Sequence, residues 1–544
     1  MGFFIAPFSS LVKVFPNERP KEAEISEVSV LQKERFSIQF VFLCPSARRI
    51  SFCVESPLKH VLQGYRVECV PVFHPIPEDL PIDQDVLRTQ PGLYPDLLRP
   101  CGLSGSFDAY AGWNSLWIEM EGAVPPGTYP IRCRISDGTE EGRTRFSLIV
   151  LPETLPEQTL LHTEWFHADC IASLHQTEVF SETHWALMEQ YLRNAAAYGM
   201  NMLYTPILTP ALDTAVGGER PTVQLIEITR QGTGYRFQFD RLERYLRMAI
   251  RCGIRCFEMA HLFSQWGAAF APKVVMRIED GSIRRVFGWD TAADSPEYRM
   301  FLKQMLPALK AFLRQNGWLD RCYFHLSDEP SMEHLGSYRR ARESVAELLE
   351  DCRVIDALSD YAFYEQGLVP HPIPATNHAA PFLEHKVSPL WVYYCVGQGV
   401  GVCNRFVCMP SYRNRALGWQ LFCNRVSGFL HWGFNFWYSP GARTVWNPLM
   451  PDADAEHFFP AGDAYLVYPG KDGPLRSLRE VVLAEALQDL RAAQKLAQLT
   501  SREEAECFIR QQGGCDFAFD TYPKDEAALL RLREAVNRRI LEVR

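Results

Sequence analysis

One unit repeated three times in order does most to limit what this chain can fold into: an amphipathic helix, a glycine that stops it, and an apolar run that follows at once. THWALMEQYLRNAAAYG precedes MNMLYTPI, and SPEYRMFLKQMLPALKAFLRQNG precedes RCYFHLSDEP. Between them a helix opens at Asp240, shares Leu242, Tyr245, Leu246, Ala249 and Ile250 on one face, stops at Gly253 and leads into IRCFEMAHL. Asp240 is its expected N-cap, with Glu243 completing the capping box. Strands joined through helices run parallel. Further strand candidates are TLLHTEWFH (159–167), VIDALSD (354–360), HPIPATN (371–377), PLWVYYCV (389–396) and GFLHWGFNFWY (428–438). The sixth in order, HPIPATN, has the faintest strand pattern. Eight in all predict an α/β fold, a (β/α)8 TIM-like barrel.

A chain of 544 residues exceeds a single compact core, so modules are expected on either side of the barrel. Residues 1–155 alternate in short runs such as FSIQFVFL (36–43) and YRVECVPVF (65–73), and the turn VPPGTYP joins SLWIEME to IRCRIS. That pattern predicts an N-terminal β-sandwich. LPETLPEQ (151–158) reads as a linker, residues 156–475 as the barrel, and 476–544 as C-terminal helices opening with a capping box in SLREVVLAEALQDLRAAQKL.

Composition excludes several function classes. A net charge of -9 argues against nucleic-acid binding, and an apolar fraction of 47% argues against disorder. The start of the chain lacks a basic leader, so a cytoplasmic protein is expected. Residues 391–409 approach a membrane span, but Gln398, Asn404, Arg405 and three glycines spoil it, and no membrane association is expected. The 16 scattered cysteines are expected reduced. Neither Cys252 with Cys256 nor Cys403 with Cys408 has a second pair at zinc-ligand spacing, so no metal or other cofactor is expected.

Barrel active sites lie at the C-terminal ends of the strands. There the chain delivers Trp165, His167 and Asp169 from the first strand, Asp213 after the second, and His261, Gln265 and Trp266 after the third. The fourth brings His325, Ser327, Asp328 and Glu329, and the fifth Asp360. The seventh brings Trp391, Tyr393 and Tyr394, then Asn404 and Arg405; the eighth brings His431, Trp432, Asn435 and Trp437. Aromatic faces packing on sugar C–H faces, with carboxylates, amides and Arg on hydroxyls, make a carbohydrate site. Trp391 or Trp437 taken alone is equally readable as barrel filling.

Asp328 and Glu329 narrow the chemistry. Ordinary glycosidases place two carboxyls on opposite sides of the bond, usually from different strands, and neighbouring side chains on one strand point apart. A pair adjacent in sequence suits another division of labour. Glu329 protonates the leaving oxygen while Asp328 orients an acetamido group of the substrate that is itself the nucleophile. Asp328 is then expected ionised and Glu329 protonated, through charge repulsion and burial. Three rivals stay open: a conventional glycosidase using Glu329 with Asp360, a carbohydrate-binding protein with an inert barrel, and a metal-dependent enzyme using His261, His325 and Glu258.

FHLSDEPS (324–331), TPILTPALDT, HLFSQWGAAFAPK, DALSD, the NRF of 404–406 and GFLHWGFNFWY resemble the bacterial domain of unknown function 4091, grouped with the catalytic domain of glycoside hydrolase family 123. The resemblance covers roughly 155–475. It implies a (β/α)8 barrel with an N-terminal β-sandwich and β-N-acetylgalactosaminidase activity by substrate-assisted retention, with a carbohydrate as partner. Residue by residue, it implies Asp328 as the acetamido-stabilising carboxylate and Glu329 as the general acid/base. Tyr393 or Tyr394 would donate to the acetamido oxygen, and Trp432 would floor the sugar.

Overall fold

The computed structural model describes residues 4–450 and 459–544; Met1–Phe3, part of the stretch read above for a leader, lie outside the described residues. Two packed sheets form the N-terminal part. One runs antiparallel through Ile5–Ser9, Phe36–Cys44, Gly112–Met120, Leu62–Val72 and Gly92–Pro100. The other holds Glu27–Gln32, Glu141–Thr154, Gly127–Ser136, Arg48–Glu55 and Ser104–Ala109. The alternating apolar positions face inward, where Phe36 stacks on Phe146 at 5.6 Å beside Phe42, Phe52 and Phe107. The hairpin Tyr468–Gly470 and Gly473–Ser477, far along the chain, extends the first sheet by pairing Arg476 with Leu98. The two ends of the chain are therefore built into one another.

All eight expected parallel strands are present: β1 (Leu161–Glu164), β2 (Met202–Thr205), β3 (Cys256–Met259), β4 (Cys322–Phe324), β5 (Arg353–Ala357), β6 (His371–Ile373), β7 (Trp391–Tyr393) and β8 (Gly428–His431). β1 pairs with β8, Leu161 against Gly428, so the sheet turns back on itself. The faint sixth strand is three residues long, and closure beside it rests on a bridge between Ala375 and Tyr393, whose N–H donates to the Pro374 carbonyl at 3.1 Å. Each strand is shorter than its apolar run, because the residues beyond it turn into the loops that carry the polar groups.

The helices follow their sequence signals with one correction. Ser181 caps α1 (Glu182–Ala197) and Ser295 caps α3 (Pro296–Gln315). Asp240 is the first residue inside α2 (Asp240–Arg251) rather than its cap; Phe239 holds the cap position without a side-chain bond. Asp240 and Glu243 instead place negative charge on the first turn, where the helix dipole favours it. A four-stranded sheet, Glu227–Gln231, Gly234–Gln238, Val274–Arg277 and Ile283–Phe287, is inserted around α2 and β3 and was not expected from sequence. On the other side α4 (Ser411–Cys423) lies under α5 (Leu478–Leu499), capped as expected by Ser477. All sixteen cysteines are free, and among the described residues no helix is long and apolar enough to cross a membrane.

Candidate active site

Beyond β4 the chain leaves the sheet at His325 and runs through Ser327, Asp328 and Glu329 as an irregular segment pinned on both sides. The Leu326 N–H donates to Asp356 at 2.9 Å, the Ser327 hydroxyl to the Ser264 carbonyl at 2.8 Å, and the Glu329 N–H to the Ala357 carbonyl at 3.1 Å. The Trp266 N–H donates to the Asp328 carbonyl at 2.9 Å. Because the carboxylates lie past the strand, strand alternation does not separate them. Glu329 adopts φ of 44°, a left-handed value that a side chain takes only under constraint, and both carboxylates open onto one cavity. Asp213 and Trp266 beside them also have left-handed φ, 49° and 54°.

That cavity measures about 390 Å3, and it gathers eight of the residues singled out in the sequence: Trp165, Asp213, Gln265, Trp266, Asp328, Glu329, Tyr393 and Trp432. Trp266 is 57% exposed, a large apolar ring held at the mouth. The Trp432 indole N–H donates to Asp463 at 2.9 Å and its ring packs on Phe459 at 4.9 Å, which fixes the ring as a wall. Gln265 accepts from the Asp213 N–H at 2.7 Å. The Tyr393 hydroxyl donates to Glu329 Oε1 through a short contact. A second cavity of about 500 Å3 adjoins, lined by Glu329 and Tyr393 again with Ser331, Ser359, Asp360, His378 and Gln398. Glu329 and Tyr393 thus stand at the boundary between an aromatic chamber and a polar one. Asp360 belongs to the polar chamber and caps a short helix, its two oxygens accepting the Phe363 and Met332 N–H groups at 3.1 Å.

Nine other expected residues lie outside these chambers. His325 is buried beneath, bonded through Nε2 to Glu258 at 2.7 Å and through Nδ1 to Asp356 at 3.2 Å. Burial opposes its charge, but the bonds to Asp356 and Glu258 prevail and raise its pKa to about 9, so it is an imidazolium. His261 stacks on it at 4.2 Å and is held neutral by burial and by that charge. His261, His325 and Asp356 are close enough to be considered as metal ligands. Stacked rings, however, do not aim their lone pairs at one point, and both His325 nitrogens already serve carboxylates, so the group fits a buried ion network better. Glu258 also accepts from the Trp165 indole at 2.7 Å, which fastens the chamber floor to this network.

Arg405 forms a two-pronged pair with Glu164 at 2.6 and 2.7 Å, and Asn404 donates to the Cys395 and Gln398 carbonyls at 2.9 Å, shaping the loop after β7. His167 bridges the Arg220–Asp169 pair and the Trp432 carbonyl, while Asn435 clasps the His167 backbone. Tyr394 packs on Phe429 and His431, and Trp437 on Tyr191. Trp391 opens β7, so it lies at the opposite end of the barrel, against Gly428 and Tyr323. Sequence reasoning missed Arg220, Asp463 and Phe459, which stand in loops without pattern. It also missed Glu164, whose charge inside an apolar strand was a usable signal.

Electrostatics sorts the carboxyls. Burial first, then the charge of Glu329, pushes Asp328 well above the usual carboxylate range, with the His325 charge acting against both. That direction runs against the expectation that Asp328 is the ionised member of the pair. Burial likewise lifts Asp213 to about 7 despite Arg220.

The model of the glycoside hydrolase 123 catalytic domain matches residues 165–496, more than half of the chain. Among solved structures, the chain is similar over 100% of its length and 99% of the other's to a family 123 glycoside hydrolase from Clostridium perfringens studied for glycolipid glycan hydrolysis, at 15% identity and a TM-score of 0.76. A Parabacteroides merdae β-glucuronidase follows at 9% identity and a TM-score of 0.30, covering 84% of this chain and 50% of that one. No curated protein matches.

Proposed function

The chain belongs to glycoside hydrolase family 123, and from that membership we propose that it is a retaining exo-glycosidase removing a terminal β-linked N-acetylgalactosamine, or N-acetylglucosamine, by substrate-assisted catalysis. The observation that carries this reading is the position of Glu329 at the boundary of two chambers, with Asp328 beside it in the aromatic one. A sugar among Trp165, Trp266 and Trp432 with its leaving group in the polar chamber has its glycosidic oxygen at that boundary.

In this reading the acetamido N–H donates to Asp328, which favours the charged form of that carboxyl and leaves the proton of the pair on Glu329. The acetamido oxygen attacks the anomeric carbon as the glycosidic bond breaks, and Glu329 gives its proton to the leaving oxygen. The oxazolinium ring so formed is opened by water, which gives a proton to Glu329, and the configuration is retained. Tyr393 donates to Glu329 and lines the aromatic chamber, and it is the phenol assigned here to the acetamido oxygen. Asp213 is a hydrogen-bonding partner for a sugar hydroxyl.

The rival nucleophile, Asp360, is occupied by two backbone N–H groups and lies on the leaving-group side. A thiazoline analogue of N-acetylgalactosamine, which imitates the oxazolinium ring, tests the choice. Competitive inhibition far tighter than by the free sugar is expected; inhibition no stronger than by the free sugar, with hydrolysis of sugars lacking the acetamido group, would restore the conventional two-carboxylate mechanism.

A further inference from the structure

The N-terminal end of the barrel, opposite the carboxylates, holds a cavity of about 320 Å3 that the proposed reaction does not use. Three parts of the chain meet there. Lys33 and Arg35 come from the sandwich, Arg255 from the turn entering β3, and Arg491 from α5. One carboxylate, Glu157 of the linker, faces these four cations.

The cations are unequally satisfied. Arg35 is paired with Glu119 at 3.0 Å and Glu121 at 2.5 Å. Arg255 and Arg491 donate to neutral backbone carbonyls, Arg491 Nε to Pro156 at 2.7 Å and Arg255 Nη2 to Gln158. Among the described residues, no carboxylate lies within ion-pair distance of Lys33, Arg255 or Arg491. Arg491, half-buried and without a paired carboxylate, carries a desolvation cost that an anion offsets, while Lys33 and Arg255 stand exposed at the cavity's rim. Burial lowers the pKa of Arg491; the charges of Glu34 and Glu157 act against burial without overcoming it, and Arg533 adds to the lowering. The chain as a whole is acidic, with a net charge of -9, so the cluster is not the overflow of a basic surface.

We infer that this cavity binds a phosphate group, either as inorganic phosphate or carried on a small phosphorylated sugar. Guanidinium forks match phosphate oxygens in pairs, and three unpaired cations around one chamber suit a dianion better than a single carboxylate. Bound there, the anion joins sandwich, barrel floor and α5, so it acts on stability rather than on turnover at the far end of the barrel.

Thermal unfolding of the full chain tests this, with inorganic phosphate and with glucose 6-phosphate against sodium chloride at matched ionic strength. Both are expected to raise the Tm in a saturable way. The half-saturating concentration should rise tenfold or more in Arg491→Gln and severalfold in Lys33→Gln, with turnover of a nitrophenyl glycoside unchanged. Lys33 is exposed, so its variant remains informative even where Arg491→Gln folds poorly. Tighter binding of the sugar phosphate identifies an organic occupant, and equal binding identifies free phosphate. The absence of any saturable shift beyond that of chloride, or a shift that persists undiminished in Lys33→Gln and Arg491→Gln, overturns the inference.

Discussion

Asp213, Trp266 and Glu329 each hold a left-handed φ, and each lines the aromatic chamber. Strain of about 1–3 kcal/mol per residue persists only where the surroundings over-determine it. Here the neighbouring loop and strand accept or supply the backbone bonds that keep Glu329 turned toward the chamber boundary. Tyr393 adds the last constraint by donating to the Glu329 carboxylate. Removing that donor in Tyr393→Phe leaves the Glu329 carboxyl free to turn away from the chamber boundary. Turnover should fall roughly tenfold to a hundredfold, because the acid is no longer held against the leaving oxygen. Unchanged turnover in Tyr393→Phe would remove Tyr393 from the positioning of Glu329. At this scale the sequence announced the chamber in outline. Asp328, Glu329, Trp165 and Trp432 were readable because polar and aromatic residues follow apolar strands at the end where barrels place their sites. His261 and Arg405 were readable as unusual but not as buried, since nothing in a local pattern tells a cavity-lining residue from one that supports it through an ion pair.

The elements were legible wherever a period and a stop signal coincided. The glycines ending α1, α2 and α3 follow the helices that their positions imply, and Ser477 caps the helix whose capping box it opens. The four-stranded insertion escaped notice because its strands are four or five residues long and half-exposed, too brief for alternation to stand out from a polar loop. Equally hidden was the contact between α4 and α5, which depends on one residue. A Cβ on Gly418 would lie 1.9 Å from the Ala486 carbonyl oxygen, so the two helices approach backbone to backbone. Gly418→Ala must push them apart, and despite the better helix propensity of alanine it should cost roughly 1–3 kcal/mol or more in urea unfolding. A variant of unchanged or greater stability would mean that the helices do not meet so closely.

At the scale of the whole molecule, stability and catalysis draw on the same buried charges. His325 has a folded pKa of about 9 against an ordinary 6.5, so its contribution is complete below pH 6.5 and is lost as the pH rises through 9. Asp213, raised to about 7, and Asp328, raised well above its ordinary value, act with the same sign from lower pH, because the folded state holds their protons more tightly. Unfolding free energy should therefore fall by roughly 3 kcal/mol between pH 6.5 and 9. His325→Gln should be less stable at pH 6.5 and should lose less stability across that window, keeping only the slope that Asp213 and Asp328 supply; a wild-type curve already flat there would contradict the imidazolium. Two-ended construction, with the 468–477 hairpin completing the N-terminal sheet, was beyond reach of the sequence because pairing across about 380 residues leaves no local trace. The central claim concerns Asp328, and one measurement addresses it most directly: release of nitrophenol from the β-N-acetylgalactosaminide, β-N-acetylglucosaminide and β-galactoside by the wild-type protein and by Asp328→Asn. Nitrophenolate needs little protonation on leaving, so the comparison isolates Asp328 from Glu329. Cleavage confined to the acetamido sugars and reduced about a hundredfold or more in Asp328→Asn is the predicted result. Cleavage of the plain galactoside, or activity on the acetamido sugars undiminished in Asp328→Asn, would contradict it.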